Sequence, residues 1–165
     1  MTGPIEAKTL GPSPQEAGIS LLDQVIIGQM QVVHTNEDRT KAEFWNGEGG
    51  ISYKHGLFIF IQEPEPGTVR VLGDHWERDW ELFVIREGSI AKLVLEDIDT
   101  KERREYLNLQ TDTRIILPPR VAHRLEFSES TVLLAMTETP YSSEKWIPYD
   151  FFPNSRTEAL AVASN

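Results

Sequence analysis

Short runs rich in β-branched and aromatic residues dominate this 165-residue chain, and residues that favour turns separate them. Roughly ten runs follow one another at regular intervals with little helical periodicity, which is typical of a sandwich or barrel of short strands. They cover residues 26–34, 41–45, 51–61, 68–72, 81–86, 89–96, 105–109, 114–117, 123–127 and 131–137. The pattern predicts an all-β fold, and we expect a single-domain jelly-roll barrel.

The turns between the runs support this prediction. Gly88 lies between Glu87 and Ser89 in a short connection, where a glycine can take the positive φ that tight hairpins require. Pro64 and Pro66 interrupt the sheet before the next run. Residues 96–103 are highly charged and are predicted to form a longer, solvated hairpin loop.

Composition at the two ends marks the limits of the domain. Residues 1–18 are rich in Pro, Gly, Ser and Glu and lack apolar periodicity, so we predict a flexible N-terminal arm. Residues 154–165 are poor in large apolar side chains and are predicted to be a C-terminal tail. The barrel domain is expected to span residues 19–153, which is long enough for one sizeable core.

Charge and composition exclude several classes of partner. The 16 basic and 26 acidic residues give a net charge of -10, and an acidic surface repels the phosphate backbone of nucleic acids. The chain has no cysteine, which excludes disulfides and thiolate metal sites. We see no secretion signal and no apolar run long enough to span a bilayer. A cytoplasmic protein that binds a small molecule, and neither nucleic acid nor membrane, is therefore predicted.

Two groups of polar residues in the middle of the chain point to a site. The first is Gly73-Asp-His75-Trp-Glu77-Arg-Asp-Trp-Glu81, followed by an apolar run to Gly88, and the second is Pro118-Pro-Arg-Val-Ala-His123. In an extended strand, side chains two apart share a face, so His75 and Glu77 face one side and Trp76 faces the other. By the same rule Glu81 faces the interior together with Phe83. If the sheets close as a jelly roll, His75, Glu77, Glu81 and His123 meet in the mouth of the barrel.

The spacing of these residues resembles the paired motifs of the cupin superfamily, whose RmlC-like jelly rolls are also called double-stranded β-helices. The first cupin motif is Gly, then His-x-His, then three or four residues before a Glu, and then six residues before a second Gly. In this chain His75, Glu81 and Gly88 match that spacing, and Glu77 replaces the second His. The second motif is Pro-x-Gly-x-x-His, and Arg120 stands here at the Gly. The resemblance implies a cupin jelly roll. In cupins that bind metal, the residues matching His75, Glu77, Glu81 and His123 would be the ligands.

Two imidazoles and two carboxylates suit one divalent ion such as Zn, Fe, Mn or Ni, with water in the open positions. The alternative is that His75 and Glu77 form a hydrogen-bonded pair in a polar cavity without metal. His34 and His55 have no partner at ligand spacing, and we interpret both as ordinary strand histidines.

One cupin branch, the 3,4-ketoisomerases and 3,5-epimerases of dTDP-sugars, works without metal, and two segments resemble the ketoisomerases. The ketoisomerase motif Gly-x-His-Ala-His-Lys has the same spacing as Gly73-Asp-His75-Trp-Glu77-Arg78. The later part of the ketoisomerase sequences resembles two segments of this chain, from Leu117 to Ser130 and from Pro140 to Phe151. This resemblance implies proton abstraction next to a ketone, for which a neutral imidazole is suited. His75 would be the base, Glu77 or Glu81 would orient it or relay a proton, and Tyr141 would donate to the enolate oxygen.

Substrate contacts are predicted from the same resemblance. Guanidinium groups bind phosphate oxygens bidentately, so a diphosphate would be neutralised by arginines. The candidates are Arg70, Arg114, Arg120 and Arg124. Trp76 is a candidate to stack on a sugar ring or base, or else to cover the barrel mouth or a subunit contact.

Three functions stay open at this point. The first is a nucleotide-sugar epimerase or isomerase that uses histidine acid–base chemistry. The second is a metal-dependent cupin, either a dioxygenase or a metal-assisted isomerase acting on a small organic acid. The third is a non-catalytic cupin that binds a small ligand. Because open sheet edges favour pairing, we also predict a homodimer that uses the segment 26–33.

Overall fold

The computed structural model describes residues 7–10, 20–35, 40–43, 51–140 and 144–152, with the backbone alone for 7–10, 31–35 and 40–43. Within these described ranges, one 3-10 turn, Leu21–Gln24, precedes most of the strands. The strands are β1 (Ala7–Leu10), β2 (Ile26–Gln29), β3 (Gln31–Thr35), β4 (Thr40–Glu43), β5 (His55–Ile61), β6 (Arg70–Trp76), β7 (Glu81–Glu87), β8 (Ser89–Asp97), β9 (Arg103–Gln110), β10 (Thr113–Leu117), β11 (Val121–Phe127), β12 (Thr131–Thr137) and β13 (Ile147–Pro148).

Two antiparallel sheets face each other. The six-stranded sheet has the order β1-β9-β8-β11-β6-β13, and the five-stranded sheet has the order β2-β10-β7-β12-β5. Strands β3 and β4 form a separate two-stranded ribbon. Successive strands such as β6, β7 and β8 alternate between the sheets, as a jelly roll requires. The predicted all-β jelly-roll fold is confirmed.

The main core fills the space between the sheets. Inward side chains of β7, such as Ile85, pack against Leu93, Leu125, Phe127 and Leu133 from the surrounding strands, and all of these are fully buried. The alternate residues of β7, Leu82 and Val84, belong to a second cluster on the outer face of the five-stranded sheet. This alternation follows from the period of two along a strand, and it directs Glu81 inward as its parity predicted.

Three differences from the sequence prediction change which strands form, and the ends of other strands, such as β5 and β6, shift by up to four residues. The predicted run 26–34 divides at Met30, whose backbone N–H donates to the Asp112 carbonyl, so that β2 and β3 join different sheets. Within the predicted arm, Ala7–Leu10 forms β1 against β9. The two-residue strand β13 pairs with β6 and was not expected from its sequence. Residues 1–6, 11–19 and 153–165 lie outside the described residues, so the limits of the arm and the tail stay predictions.

Two turns contain a residue with a positive φ. Gly88 has φ +75° between β7 and β8, and a Cβ there would lie 2.4 Å from the Ser130 carbonyl oxygen, so no larger residue fits. Arg120, at the glycine position of the second cupin motif, also has a positive φ of 69°. The turn therefore keeps the left-handed conformation that favours glycine, although an arginine occupies it.

Asp97, at the end of β8, joins the 3-10 turn to the loop between β8 and β9. It is buried, and its carboxylate accepts hydrogen bonds from the backbone N–H groups of Leu21 at 2.8 Å, Asp99 at 2.8 Å and Thr100 at 3.2 Å. Asp97→Asn replaces one acceptor oxygen with a donor, so we expect the free energy of unfolding to fall by about 1–3 kcal/mol. Urea denaturation measures this, with Asp112→Asn as a control that removes only an exposed ion pair with Arg86 and should change the free energy of unfolding by less than about 1 kcal/mol. Equal stability of both variants would contradict the role of Asp97.

Acid should weaken the same junction. Burial opposes the charge of Asp97, but the N–H groups that donate to it outweigh this effect and lower its pKa from the ordinary value of 3.8. The contribution of the ionised carboxylate is therefore fully present above pH 3.8 and is lost as the pH falls through the lowered, folded-state value. Denaturation midpoints measured down to about pH 2 should show a smaller acid-dependent loss in Asp97→Asn than in the wild type.

Candidate active site

A cavity of about 280 Å³ opens between the two sheets at one end of the barrel. It is lined by His55, Leu57, Ile59, Leu72, His75, Glu77, Glu81, Phe83, His123, Ala135, Thr137 and Trp146. The structure thus brings His75, Glu77, Glu81 and His123 to one place, and all four side chains are buried. Half of the lining residues are apolar, so the polar groups lie among hydrophobic side chains.

Strand pairing explains why these side chains meet. His75 on β6 lies directly opposite His123 on β11 in the six-stranded sheet. Glu81 begins β7 in the facing sheet and reaches the cavity from the other side. Glu77 lies in the short link from β6 to β7, two residues after His75. Each position is therefore fixed by regular strands or by the link that joins them.

The four side chains are in close contact. The rings of His75 and His123 lie edge to face with centroids 4.4 Å apart. His123 Nδ1 is 3.4 Å from a carboxylate oxygen of Glu81, and His75 Nε2 is 3.9 Å from one of Glu77. The ring of Phe83 packs against His123 at a centroid distance of 5.7 Å. The arrangement is a chain of carboxyl, imidazole, imidazole and carboxyl groups.

Burial drives this cluster toward its uncharged forms. It lowers the pKa of His75, and it holds the pKa of His123 well below its usual value, with nearby His75 adding to the effect. Burial raises the pKa of Glu77, and it raises that of Glu81 well above its usual value, with the charge of Glu77 contributing. Burial thus favours neutral imidazoles, which accept protons, and protonated carboxyl groups, which donate them, and these are the two partners of an acid–base reaction.

The same residues fit a divalent metal ion. His75, Glu81 and His123 each offer a ligand atom, and these atoms lie within 4.8 Å of one another, whereas Glu77 is outside this group. Neither ring nitrogen of His123 has a hydrogen-bond partner among the described residues, although both are buried. Such orphaned donors and acceptors are costly unless a ligand satisfies them. Two imidazoles and one carboxylate suit borderline transition metals.

The backbone of Gly73 passes very close to His123. Gly73 has φ +100°, and a Cβ at this position would lie 2.5 Å from the carbonyl oxygen of His123 and 3.1 Å from its ring carbon Cδ2. The pairing of β6 with β11 is also irregular between His123 and Arg124. A glycine is therefore needed for the two histidine-bearing strands to approach each other.

Trp146 covers the cluster from the segment before β13. Its ring centroid is 5.2 Å from that of His75, and it lines the cavity. The neighbouring Lys145 holds this segment in place through a 2.9 Å salt bridge to Asp79, which also accepts a hydrogen bond from Thr139. Strand β13 pairs with β6 at His75 itself. The segment thus both shields His75 and fixes its strand.

Several predicted contact residues lie away from the cavity. Trp76 packs on the outer face of the six-stranded sheet against Val94 and Ala122, and the exposed Arg120 stacks on it with a distance of 5.8 Å. These two residues were predicted to contact substrate, but they share the face opposite His75 because side chains alternate along β6. The structure therefore does not bring Trp76 or Arg120 to the site.

The other three arginines are also placed elsewhere. Arg124 lines a second cavity of about 560 Å³, together with Asp74 and Phe152. Arg114 lies opposite Val84 in the register of β10 and β7, so it shares the outer face of the five-stranded sheet. Arg70 begins β6, five residues before His75, which is roughly 16 Å along a strand. Tyr141 lies outside the described residues, and its role stays a prediction.

Two polar residues and one aromatic residue of the cavity were not among the predicted site residues: His55, Thr137 and Trp146. His55 was interpreted as an ordinary strand histidine, yet it lies opposite Thr137, which in turn lies opposite Glu81, so all three face the cavity. The run that contains His55 has apolar side chains on both faces of the strand, and Phe58 and Phe60 are exposed. The alternation of polar and apolar residues therefore could not indicate which face points into the barrel. Trp146 follows no strand pattern. The side chain of His34, on β3, is not among those described.

Comparisons with known proteins agree with this architecture. The TDP-fucose-3,4-ketoisomerase WlaRA from Campylobacter jejuni is 17% identical, with a TM-score of 0.59 over 77% of this chain and 90% of its own. A point mutant of the 3,4-ketoisomerase QdtA from Thermoanaerobacterium thermosaccharolyticum, in complex with TDP-4-keto-6-deoxyglucose, is 16% identical, with a TM-score of 0.59 over 81% and 94%. The dTDP-4-dehydrorhamnose 3,5-epimerase from Sulfolobus tokodaii is 18% identical, with a TM-score of 0.62 over 90% and 84%.

No protein-family model matches the chain, and no curated protein sequence matches it. None of the helical segments in the described part of the chain has the length and apolar character that a bilayer crossing requires. The structural similarities and the strand order together define the architecture. The chain has the RmlC-like jelly-roll fold of the cupins, as its two motifs predicted.

Proposed function

We propose that this protein is a sugar isomerase or epimerase that moves a proton next to a ketone by acid–base chemistry in the barrel cavity. The observation that carries the proposal is the contact of buried imidazoles with buried carboxyl groups in one cavity that a small molecule can enter. Solved structures of similar fold support it, because those named above are sugar ketoisomerases and an epimerase. A cytoplasmic location stays a prediction.

The proposed reaction uses the cluster in its neutral form. The imidazole of His75 takes the proton from the carbon next to the carbonyl, while Glu81 gives its carboxyl proton to the carbonyl oxygen, so that an enediol forms. Transfer of the His75 proton to the neighbouring carbon, with the other enediol O–H returning its proton to Glu81, moves the carbonyl. Inversion of the centre would instead need a proton donor on the opposite face. Glu77, close to the His75 ring, is positioned to relay the proton. Trp146 shields the base from water.

Proton exchange tests the proposal without knowledge of the natural substrate. The protein is incubated in D₂O with a panel of free and nucleotide-linked keto sugars, and NMR follows the C–H signals next to each carbonyl. We expect deuterium to replace one such proton and an isomer to accumulate. Wild-type protein that exchanges no proton in any member of the panel would contradict the proposed function.

A metal-dependent cupin is the second candidate, and the orphaned nitrogens of His123 favour it. His75, Glu81 and His123 would hold the ion. When bound, a divalent ion would supply Lewis-acid polarisation of a substrate oxygen. The other residues of the cavity would bind and shield the substrate as in the first candidate.

Metal titration decides between the two candidates. If the site binds Zn²⁺ or Mn²⁺, a concentration about one hundred times the dissociation constant should raise the free energy of unfolding by about 2.7 kcal/mol. Glu81→Gln removes a ligand and should abolish this gain, whereas the matched Glu77→Gln should keep it because Glu77 lies outside the ligand group. No stabilisation of chelator-treated wild type by any of Zn²⁺, Mn²⁺, Fe²⁺ or Ni²⁺ would refute the metal candidate.

We also propose a homodimer. Strand β2, within the predicted segment 26–33, is an edge of the five-stranded sheet, and Ile26 on it is exposed. An uncovered strand edge with an apolar side chain favours pairing with a second chain. Sedimentation velocity at micromolar concentration should show a dimer, and a monomer would refute the proposal.

A further inference from the structure

The barrel cavity has a histidine on each of its two walls. His75, on β6, belongs to the six-stranded sheet, and His55, on β5, belongs to the five-stranded sheet. Both residues line the cavity. Because the two sheets face each other, His55 borders the cavity on the side opposite to His75. The proton transfers proposed above do not use His55.

The register of the five-stranded sheet separates His55 from the buried cluster of histidines and carboxyl groups. His55 lies opposite Thr137, and Thr137 lies opposite Glu81, so these three residues form one row across β5, β12 and β7. Neighbouring strands are about 4.8 Å apart, which puts the backbone of His55 roughly 10 Å from that of Glu81. At the other end of the row, Glu81 is 3.4 Å from His123. The row therefore runs along the cavity wall from the buried cluster to the edge strand β5.

His55 is the side chain of this wall that suits proton transfer to a carbon. Among the described residues that line the cavity from the five-stranded sheet, three have polar side chains: His55, Thr137 and Glu81. The Thr137 hydroxyl already donates to the Thr139 carbonyl at 2.6 Å. Glu81 lies against His123 and serves the carbonyl oxygen in the proposed reaction. An imidazole both donates and accepts protons near neutral pH, so His55 can do either.

The exposure of His55 suits a group that exchanges its proton with water. His55 is half-buried on an edge strand, whereas only 8% of His75 is exposed. A group that donates a proton in one turnover must take up another from solvent before the next. A half-buried imidazole has this access without any opening of the barrel.

We infer that His55 is a second catalytic residue, which gives a proton to the face of the substrate carbon opposite His75, and that the site therefore inverts this carbon. The inference rests on the proposed function, because it assigns the side from which the proton returns. It is carried by two histidines on facing sheets that border one cavity of about 280 Å³.

The inversion has two steps. In the first, neutral His75 takes the proton from the carbon next to the ketone, the C–H electron pair becomes the double bond of an enediol, and Glu81 gives its proton to the carbonyl oxygen. In the second, the enediol O–H returns its proton to Glu81, and the double bond takes a proton from the His55 imidazolium on the opposite face. One proton has then passed from His55 to the carbon and one from the carbon to His75. Both rings return to their starting forms by exchange with water.

Proton exchange measured from both epimers tests the role of His55. The panel of free and nucleotide-linked keto sugars includes 4-keto-6-deoxyglucose and its 3-epimer, and NMR in D₂O follows the loss of the C–H signal from each. We expect His75→Asn to slow exchange of the epimer whose proton faces His75 by about 10²- to 10⁴-fold. His55→Asn should slow exchange of the other epimer by the same factor. Each variant should keep the exchange of the opposite epimer and lose the interconversion of the two.

Two further variants separate proton transfer from packing. His55→Gln has a longer side chain than His55→Asn and should show the same loss, because neither amide takes up a proton. Lys54→Gln removes an exposed cation next to His55, and its backbone N–H can still donate to the Thr137 carbonyl at 3.0 Å. This control should interconvert the epimers at the wild-type rate. A folded His55 variant that interconverts them as fast as the wild type, or an equal loss in Lys54→Gln, would overturn the inference.

The behaviour of the wild type separates this inference from the proposed function. Exchange and movement of the carbonyl without interconversion of epimers would overturn the inference and leave the proposed function standing. Exchange in no member of the panel would contradict the proposed function and, with it, the inference.

Discussion

Replacement of His75 by asparagine is expected to slow proton exchange next to the substrate carbonyl by about 10²- to 10⁴-fold, the usual contribution of a positioned general base. Asparagine keeps a polar side chain of similar reach but cannot take up a proton at neutral pH. The ring of His75 faces the cavity between His123 and Trp146, so no solvent base can readily replace it. NMR in D₂O measures the rate for the wild type and the variant with the same keto sugar.

The neighbouring Trp76 provides a matched control for that experiment. It lies one residue further along β6 and faces the outer cluster of Val94 and Ala122. Trp76→Phe should therefore keep the wild-type exchange rate. An His75→Asn variant that is folded and exchanges as fast as the wild type would remove His75 from the role of base.

Replacement of Gly73 by alanine is expected to lower the free energy of unfolding by about 2–5 kcal/mol, which combines the strain of a positive φ with that of overpacking. The new Cβ would lie 2.5 Å from the His123 carbonyl oxygen, a backbone atom that cannot move without shifting β11. The strands that carry His75 and His123 would have to separate, so proton exchange should fall as well. Urea denaturation measures the first effect and the exchange assay the second.

Gly28→Ala is the control for the glycine substitution. Gly28 lies in β2, and no atom outside its chain neighbours is within 4 Å of the position of its Cβ. Its replacement should leave the denaturation midpoint unchanged or slightly higher, because alanine restricts the unfolded chain. If Gly73→Ala unfolds at the same urea concentration as Gly28→Ala, the fold does not require a glycine where the backbone of residue 73 approaches His123.

The fold followed from the sequence because its signals are local. Period-two alternation directed Glu81 and Phe83 inward, and Gly88 marked a hairpin that only a glycine can make. The convergence of His75 and His123 could be expected because two spaced motifs resembled those of cupins, whose fold pairs the strands that carry them. Parity alone would not have paired β6 with β11, since the two histidines lie far apart along the chain.

The lining of the cavity was less accessible to sequence reasoning. His55 lies in a run that is apolar on both faces, so alternation could not tell which side chains enter the barrel. Trp146 reaches the cavity from an irregular segment that a salt bridge between Lys145 and Asp79 holds in place, a contact over 66 residues. The arginines were chosen by residue type, and only the register of their strands shows that Arg114 and Arg124 face away from the cavity.

His75 and His123 are buried together with carboxyl groups in one cavity, and imidazole titration by NMR measures the consequence of this burial. On chelator-treated protein, with His75→Asn and His123→Asn used to assign the signals, both rings should stay neutral as the pH falls below the ordinary imidazole value of 6.5. His123 should resist protonation more strongly than His75. Titration of both rings near pH 6.5, as for histidines in water, would show that the two rings are not buried together in the cavity.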